Sequence, residues 1–498
     1  EKLDQFGFDF IEGGWPGSNP KAEEFFKKMA SKKLKYSKIV AFGSTRRKNL
    51  SADKDPFLKA LVEANTDIII IFGKSWDLHV RDVFRISLED NLNLIGDSIS
   101  YLKSRGKTVF FDAEHFFDGY KENPEYAIKT LLVAESSGAE RIVLCDTNGG
   151  ALPFEVEEIV RKVDRVLKTP IGIHAHNDSG TAVANTIAAV RAGAVHVHGT
   201  INGFGERCGN ADLTAIIPIL QIKMGFHCLD EEKLHHLTGL SRYIYETANI
   251  VPPGNQPFVG FSAFAHKGGV HVDAVGKNPR TYEHIPPERV GNQRRVLVSE
   301  LSGKSTILQK LGKYKLEKQP ELIKKILDTV GELEKKGYQF ESAEASFELM
   351  VRKMLGLYKK PFHVEGFRVI VEERNAKVVA EATVKLKVGK SVEYTVAEGN
   401  GPVNALDNAL RKALIPFYPF LSSLKLTDYK VRILHPEKAT GAVTRVLIES
   451  MDEKESWGTI GLSENIIEAS WMALVDGVEY KILKEIENFN QSSRQANS

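Results

Sequence analysis

The sequence predicts an α/β protein: a (β/α)8 barrel, then a mostly helical linker and a smaller α+β domain. Three observations predict it. Short β-branched or aromatic runs alternate with stretches of helical apolar spacing through the first 200 residues. The runs are almost continuously apolar, as strands of a helix-covered parallel sheet are. The chain also opens inside a helical stretch, Lys2-Leu3-Asp4-Gln5-Phe6, stopped by Gly7 ahead of the first visible strand.

Strands are expected at Phe8–Glu12, Lys38–Gly43, Asp67–Phe72, Thr108–Ala113, Arg141–Asp146, Pro170–Ala175 and Val195–Thr200. Between them, Ala22–Ser31, Leu88–Ser104, Pro124–Ser137 and Phe154–Leu167 carry helical spacing. Each interval is long enough for one strand-plus-helix unit. An open doubly wound sheet would alternate in the same way, but the count favours closure. Seven visible strands, plus one implied by the opening helix, make the eight of a barrel. On this reading the native reading frame extends upstream by a strand and its turn.

The pattern changes after residue 265. Residues 266–366 read as a linker subdomain, with helices at Pro320–Lys336 and Ser342–Leu355. Residues 367–487 read as an α+β domain: alternating strands from Phe367 to Val396, a helix at Val403–Leu414, strands at Lys430–Leu434 and Ala442–Glu449, and a helix at Ile466–Asp476. A frayed polar tail is expected over 488–498, and no internal repeat is evident beyond the strand–helix unit.

Composition narrows the function. A net charge of +2 over 498 residues gives no strong field for nucleic acid or acidic lipid. Apolar runs are far shorter than the ~20 residues of a spanning helix, and the first residues show no secretory signal pattern. Three cysteines, Cys145, Cys208 and Cys228, make no disulfide framework and favour a reducing compartment. A cytoplasmic enzyme is expected, with no nucleic-acid or membrane partner.

In a parallel barrel the chemistry lies at the C-terminal ends of the strands. Those ends carry Glu12, Asp112-Ala113-Glu114-His115, Asp146-Thr147-Asn148 and His174-Ala175-His176-Asn177-Asp178. The seventh strand leads into Asn202-Gly203-Phe204-Gly205-Glu206-Arg207-Cys208-Gly209-Asn210. His174 and His176, two apart, face one side of a strand, so they suit one divalent cation or form a hydrogen-bonded structural pair. For a cation, Asn210 offers an oxygen, and a carboxylate is expected from the strand upstream. His266, His271, Asp273 and Tyr282 form a further cluster, which suits either acid–base work or a polar packing loop. Glu12 suits either a supporting contact or a loop cap, whereas Cys145 and Cys208 read as small packing residues. Two decoys fail. Ser302-Gly303-Lys304-Ser305-Thr306 lacks the earlier glycine of a phosphate loop, where Val298 stands. The run from Gly203 to Gly209 has one residue too many for a dinucleotide fingerprint.

These motifs together resemble the 2-isopropylmalate synthase/homocitrate synthase/citramalate synthase family. The resemblance rests on His174-x-His176-Asn177-Asp178, the Asn202–Asn210 loop and Ser302-Gly303-Lys304. Phe10-Ile11-Glu12-Gly13-Gly14-Trp15 and Phe111-Asp112-Ala113-Glu114-His115 look most like its citramalate synthase branch. Gly399–Leu406 and Trp457–Trp471 look like its regulatory domain. The resemblance implies condensation of acetyl-CoA with pyruvate and hydrolysis of the thioester, at the entry to isoleucine synthesis. It implies a divalent cation (Mn, Mg, Zn or Co) on His174, His176 and Asn210, and an oxo-acid site at Glu114 and Thr147. Catalytic roles fall on Glu114, His271, Asp273 and Tyr282, with the enolising base left open. The family's first-strand Arg-Asp has no counterpart here. The resemblance further implies a homodimer with an isoleucine effector. Trp15, Phe116 and Phe117 are expected to narrow the oxo-acid pocket. A 2-isopropylmalate synthase, an acyl-CoA lyase on the same barrel and a non-catalytic amino-acid sensor stand as alternatives.

Overall fold

In the first of two units, Glu1–Phe264 with Ile285–Gln293, seven parallel strands pair in sequence order. They are β1 (Phe10–Glu12), β2 (Lys38–Ser44), β3 (Ile68–Lys74), β4 (Thr108–Glu114), β5 (Arg141–Asp146), β6 (Ile171–Ala175) and β7 (His196–Val197). The computed structural model describes residues 1–297, 307, 311, 314, 319–374, 377–434, 441–452 and 455–495. The Ser302-Gly303-Lys304 motif and the failed phosphate loop therefore lie outside the described residues.

The sheet curls into a barrel-type domain. Six strand spacings of roughly 4.8 Å would set β1 and β7 about 29 Å apart in a flat sheet. Instead the Phe10 ring on β1 lies 5.6 Å from His196 on β7 and 5.5 Å from Phe110 on β4. Inside the curl, Phe10, Val40, Phe42, Ile68, Ile70 and Phe110 pack together. Outside it, the opposite strand faces pack on the flanking helices through residues such as Ile69, Ile71, Phe111, Leu144 and Ile173. Among the described residues no strand pairs with the outer edge of β1 or β7.

Local chemistry sets the helix ends. Gly7 closes the opening helix Lys2–Phe6 at φ 101°, a left-handed turn that favours glycine. Asn19, Asp55 and Asn123 cap the helices Pro20–Met29, Pro56–Glu63 and Pro124–Ser136 through their side-chain oxygens. Strand β7 is shorter than expected because the Thr200 N–H donates to the Ala211 carbonyl at 3.0 Å rather than to β6.

The second unit comprises Ala265–His284 and Arg294–Ser498. A two-residue pair, β8 (Ala265–His266) with β9 (Arg295–Val296), brackets its first segment. Helices Pro320–Lys335 and Glu344–Met354 follow. Then the chain makes one pattern twice. Strands β10 (His363–Arg374), β11 (Lys377–Val388) and β12 (Ser391–Gly399) precede the helix Pro402–Leu414. Strands β13 (Lys425–Leu434), β14 (Val443–Met451) and β15 (Ser456–Ser463) precede the helix Ile466–Gln495. This corrects two sequence expectations. A three-strands-and-helix repeat is present, and residues 488–495 continue the last helix rather than fray. The two repeat helices bury matching residues, Ala405, Ala409 and Leu410 in one and Ala469, Ala473 and Leu474 in the other. Helix meets sheet so closely that a Cβ on Gly461 would stand 1.8 Å from the Ala469 carbonyl oxygen, so only glycine fits there.

Candidate active site

The pleat turns every second residue inward, and the parallel register sets which inward residues are level. Cys145 on β5 pairs with His174 on β6, and Ile173 pairs with Val197 on β7. The next step of that register brings His198 beside His174, with the His198 N–H donating to the Ile173 carbonyl at 2.9 Å. On β4, Asp112 and Glu114 point the same way.

Three histidines meet at this level. His174 Nε2 lies 3.2 Å from His176 Nε2, and His174 Nδ1 lies 3.4 Å from His198 Nδ1. Burial first, and then the rings of His198 and His176, push the His174 imidazole down to about 3. Burial, followed by His196, does the same for His198, also to about 3. His176 is lowered too, by burial and then by Arg207. All three shifts favour the neutral ring, which keeps one lone pair on one of its two nitrogens. Asp112 is buried, and burial followed by the charges of Glu12 and Glu114 pushes its carboxyl well up.

Asn210 arrives from the loop after β7. A Cβ on Gly209 (φ 90°) would stand 2.0 Å from the Gly203 carbonyl oxygen, so the loop closes only on glycine. Its return lets the Asn177 N–H donate to the Gly209 carbonyl and sets Asn210 in an antiparallel bridge with His176. The Asn210 amide nitrogen donates to the Phe204 carbonyl at 3.2 Å, which orients the side chain. Among the described residues its buried Oδ1 accepts no hydrogen bond, nor does Nδ1 of His176 make one, while the Asn210 amide lies beside the His174 ring. Two apposed neutral imidazoles beside an orphaned amide oxygen fit a divalent cation. Asp112, His174 and His198 also bring one ligand atom each within 4.8 Å of one another. Two donor sets therefore overlap at His174. A cleft of about 760 Å³ between β1 and β7 reaches Glu12, His174, His198 and Asn210.

Glu114 stands at the end of β4 in an ion pair with Lys74 at the end of β3, both side chains mostly buried. The Thr147 hydroxyl oxygen accepts the N–H of His115 at 2.8 Å, placing Thr147 one residue from Glu114. Arg207 grips Asp178 with two nitrogens, at 2.7 and 3.0 Å, and donates to the Thr147 carbonyl at 2.7 Å. It thereby ties together the loops after β5, β6 and β7.

The second cluster lies in the other unit. His271 and Tyr282 are exposed and stack with ring centroids 4.1 Å apart. Asp273 turns to Lys277 at 2.7 Å, while His266 is buried against Glu283 at 3.2 Å. The expectation for Phe116 and Phe117 needs correcting. His115 adopts a left-handed φ of 57°, and the helix it starts buries both rings completely in the outer core. Trp15 does pack on the inward rings of Phe42 and Phe72. Lys74, Asp112 as a donor, and His198 are not among the site residues expected from the sequence. The signal was present: His196-x-His198 repeats the two-residue spacing of His174-x-His176 one strand later.

Residues 1–244 match the HMGL-like family, 258–338 the homocitrate synthase post-HMGL domain-like family and 341–482 the LeuA allosteric (dimerisation) domain. The (R)-citramalate synthase of Geobacter sulfurreducens is 56% identical over 490 residues, covering 98% of this chain and 93% of that protein. That of Aquifex aeolicus is 54% identical, with 98% and 93% covered. A 2-isopropylmalate synthase of Methanocaldococcus jannaschii is 30% identical, with 98% and 90% covered.

The Lys74–Glu114 pair yields a stability prediction. Removing one member of a well-buried pair costs about 3–5 kcal/mol, but partial exposure softens this. Lys74→Ala is expected to cost about 1–3 kcal/mol, and the Lys74→Ala/Glu114→Gln double variant less than the sum of the two single changes. Urea unfolding of the four proteins measures the coupling; strictly additive losses would show that the pair contributes nothing.

Proposed function

The chain belongs to the citramalate synthase family, and on that premise we propose how its residues divide the work. The reaction joins acetyl-CoA to pyruvate. A methyl proton leaves the acetyl group, the carbanion adds to the keto carbon, and water cleaves the thioester to release CoA and citramalate. This makes the chain an acyltransferase whose acyl group becomes alkyl on transfer.

A divalent cation belongs on His174, His176 and Asn210, and when bound it supplies a Lewis acid and a template for the oxo acid. The observation that carries this assignment is the 3.2 Å apposition of two neutral imidazoles beside the orphaned Asn210 oxygen. Glu114 and Thr147 line the oxo-acid site, with Lys74 fixing the direction of the Glu114 carboxylate. His271, stacked on Tyr282, moves protons, and Asp273 sits two residues on along the same helix. Trp15, held against Phe42 and Phe72, limits the size of the oxo acid.

Pyruvate is therefore expected to exceed 2-oxoisovalerate in kcat/KM by at least about tenfold, since each extra carbon in a tight apolar pocket is worth about 1–3 kcal/mol. Steady-state kinetics with both acids tests this. A preference for the branched acid would move the protein to the isopropylmalate branch.

The repeated C-terminal module serves dimerisation and effector binding in this reading. Its strands expose Val371, Val392, Tyr394 and Ile433, apolar surface of the kind a second copy covers. Isoleucine is the effector, acting by binding one state better than another, with a coupling of about 1–3 kcal/mol. Millimolar isoleucine is expected to reduce activity more than leucine does. Calorimetry showing no isoleucine binding, with kinetics unaltered in its presence, would leave dimerisation as the module's role.

A further inference from the structure

We infer that His198 is a positioning residue: it accepts the Nδ1 proton of His174 and so keeps the His174 Nε2 lone pair facing His176 and Asn210. The inference rests on the cation set proposed above and extends it to a side chain outside that set. A neutral imidazole carries one proton on two nitrogens. His174 has a histidine nitrogen opposite each of its own, His176 at 3.2 Å and His198 at 3.4 Å. It can donate to only one of them. If its proton sits on Nε2, that face is closed to a cation. If the proton sits on Nδ1, Nε2 is free, and His198 Nδ1 is the acceptor that favours this tautomer. Ligating histidines typically direct their second nitrogen at such an acceptor.

His198 is itself held in place. Its backbone N–H donates to Ile173, and its ring packs edge-on against His196 at 4.8 Å. His196 in turn wedges between Phe10 and Phe110, each 5.6 Å away. The acceptor therefore sits one residue beyond β7, anchored to β6 by its backbone N–H and set against an aromatic cluster. The competing arrangement places the ion on Asp112, His174 and His198, and it requires the lone pair on His174 Nδ1 instead. It would leave the buried Asn210 Oδ1 without a partner and use only one member of the His174/His176 pair. The Nε2 arrangement uses both.

Glutamine separates the two arrangements, because its amide oxygen accepts an N–H as His198 Nδ1 does but is a poor substitute for imidazole as a ligand. Metal-free protein is titrated with Co2+, and binding is read by calorimetry and by the visible absorption of the bound ion. His198→Ala is expected to weaken binding about 10- to 100-fold. His198→Gln is expected to stay within a few-fold of the parent with the same absorption spectrum. His176→Ala and Asn210→Ala are titrated alongside. If these two leave the affinity unchanged, the proposed cation set itself is wrong. If they weaken binding while His198→Ala does not, the positioning role alone is overturned. Equal loss in His198→Ala and His198→Gln, accompanied by loss in Asp112→Asn, would make His198 a ligand and also overturn it.

Discussion

Two imidazole nitrogens held 3.2 Å apart inside a curled sheet are the feature on which this site depends. A proton on His176 Nε2 can satisfy that contact while the His174 proton, on Nδ1, serves His198 3.4 Å away. Which ring donates at each contact is therefore set by the tautomers of three neutral rings. A buried cluster of this kind is satisfied only when its tautomers are defined or a cation takes the lone pairs. The surrounding structure makes sense as the machinery that keeps the rings together.

That machinery is backbone geometry first. The period of two along β6 turns His174 and His176 inward, and parallel register sets His198 beside them. The loop after β7 returns on a glycine that tolerates no Cβ and delivers Asn210 to His176. Arg207, gripping Asp178 and the Thr147 carbonyl, fastens the mouth across three strand ends. Charge is arranged more sparingly. The charges of Glu12 and Glu114 bear on Asp112, and Lys74 pairs with Glu114. Burial and like charge therefore act on Asp112 in the same direction, with Nδ1 of the His198 ring 3.9 Å from its carboxyl oxygen.

The barrel was legible in the sequence because its signal is periodic and local: six of the seven strands lie close to their expected bounds. Strand β7 was overcalled, since a tertiary contact to Ala211 takes the hydrogen bond that strand pairing would have used. The pair His174/His176 and Asn210 could be read from spacing and resemblance. His198 was not, because β7 was judged by its valines rather than by what alternated with them. Lys74 was missed because β3 was ended two residues early. Phe116 and Phe117 were misplaced because a left-handed residue at His115 redirects the chain, and nothing in the local pattern announces it. The C-terminal repeat escaped notice because its two copies share buried alanines and leucines rather than a run of identical residues.

The most direct test of the account is the position of a bound ion. Crystals of the protein loaded with Co2+ or Zn2+, measured at the absorption edge of that ion, would locate it by anomalous scattering. The account predicts one peak in contact with Nε2 of His174, Nε2 of His176 and Oδ1 of Asn210, with the His198 ring adjoining Nδ1 of His174 and not the ion. A peak between Asp112, His174 Nδ1 and His198, with His176 and Asn210 unliganded, would contradict it.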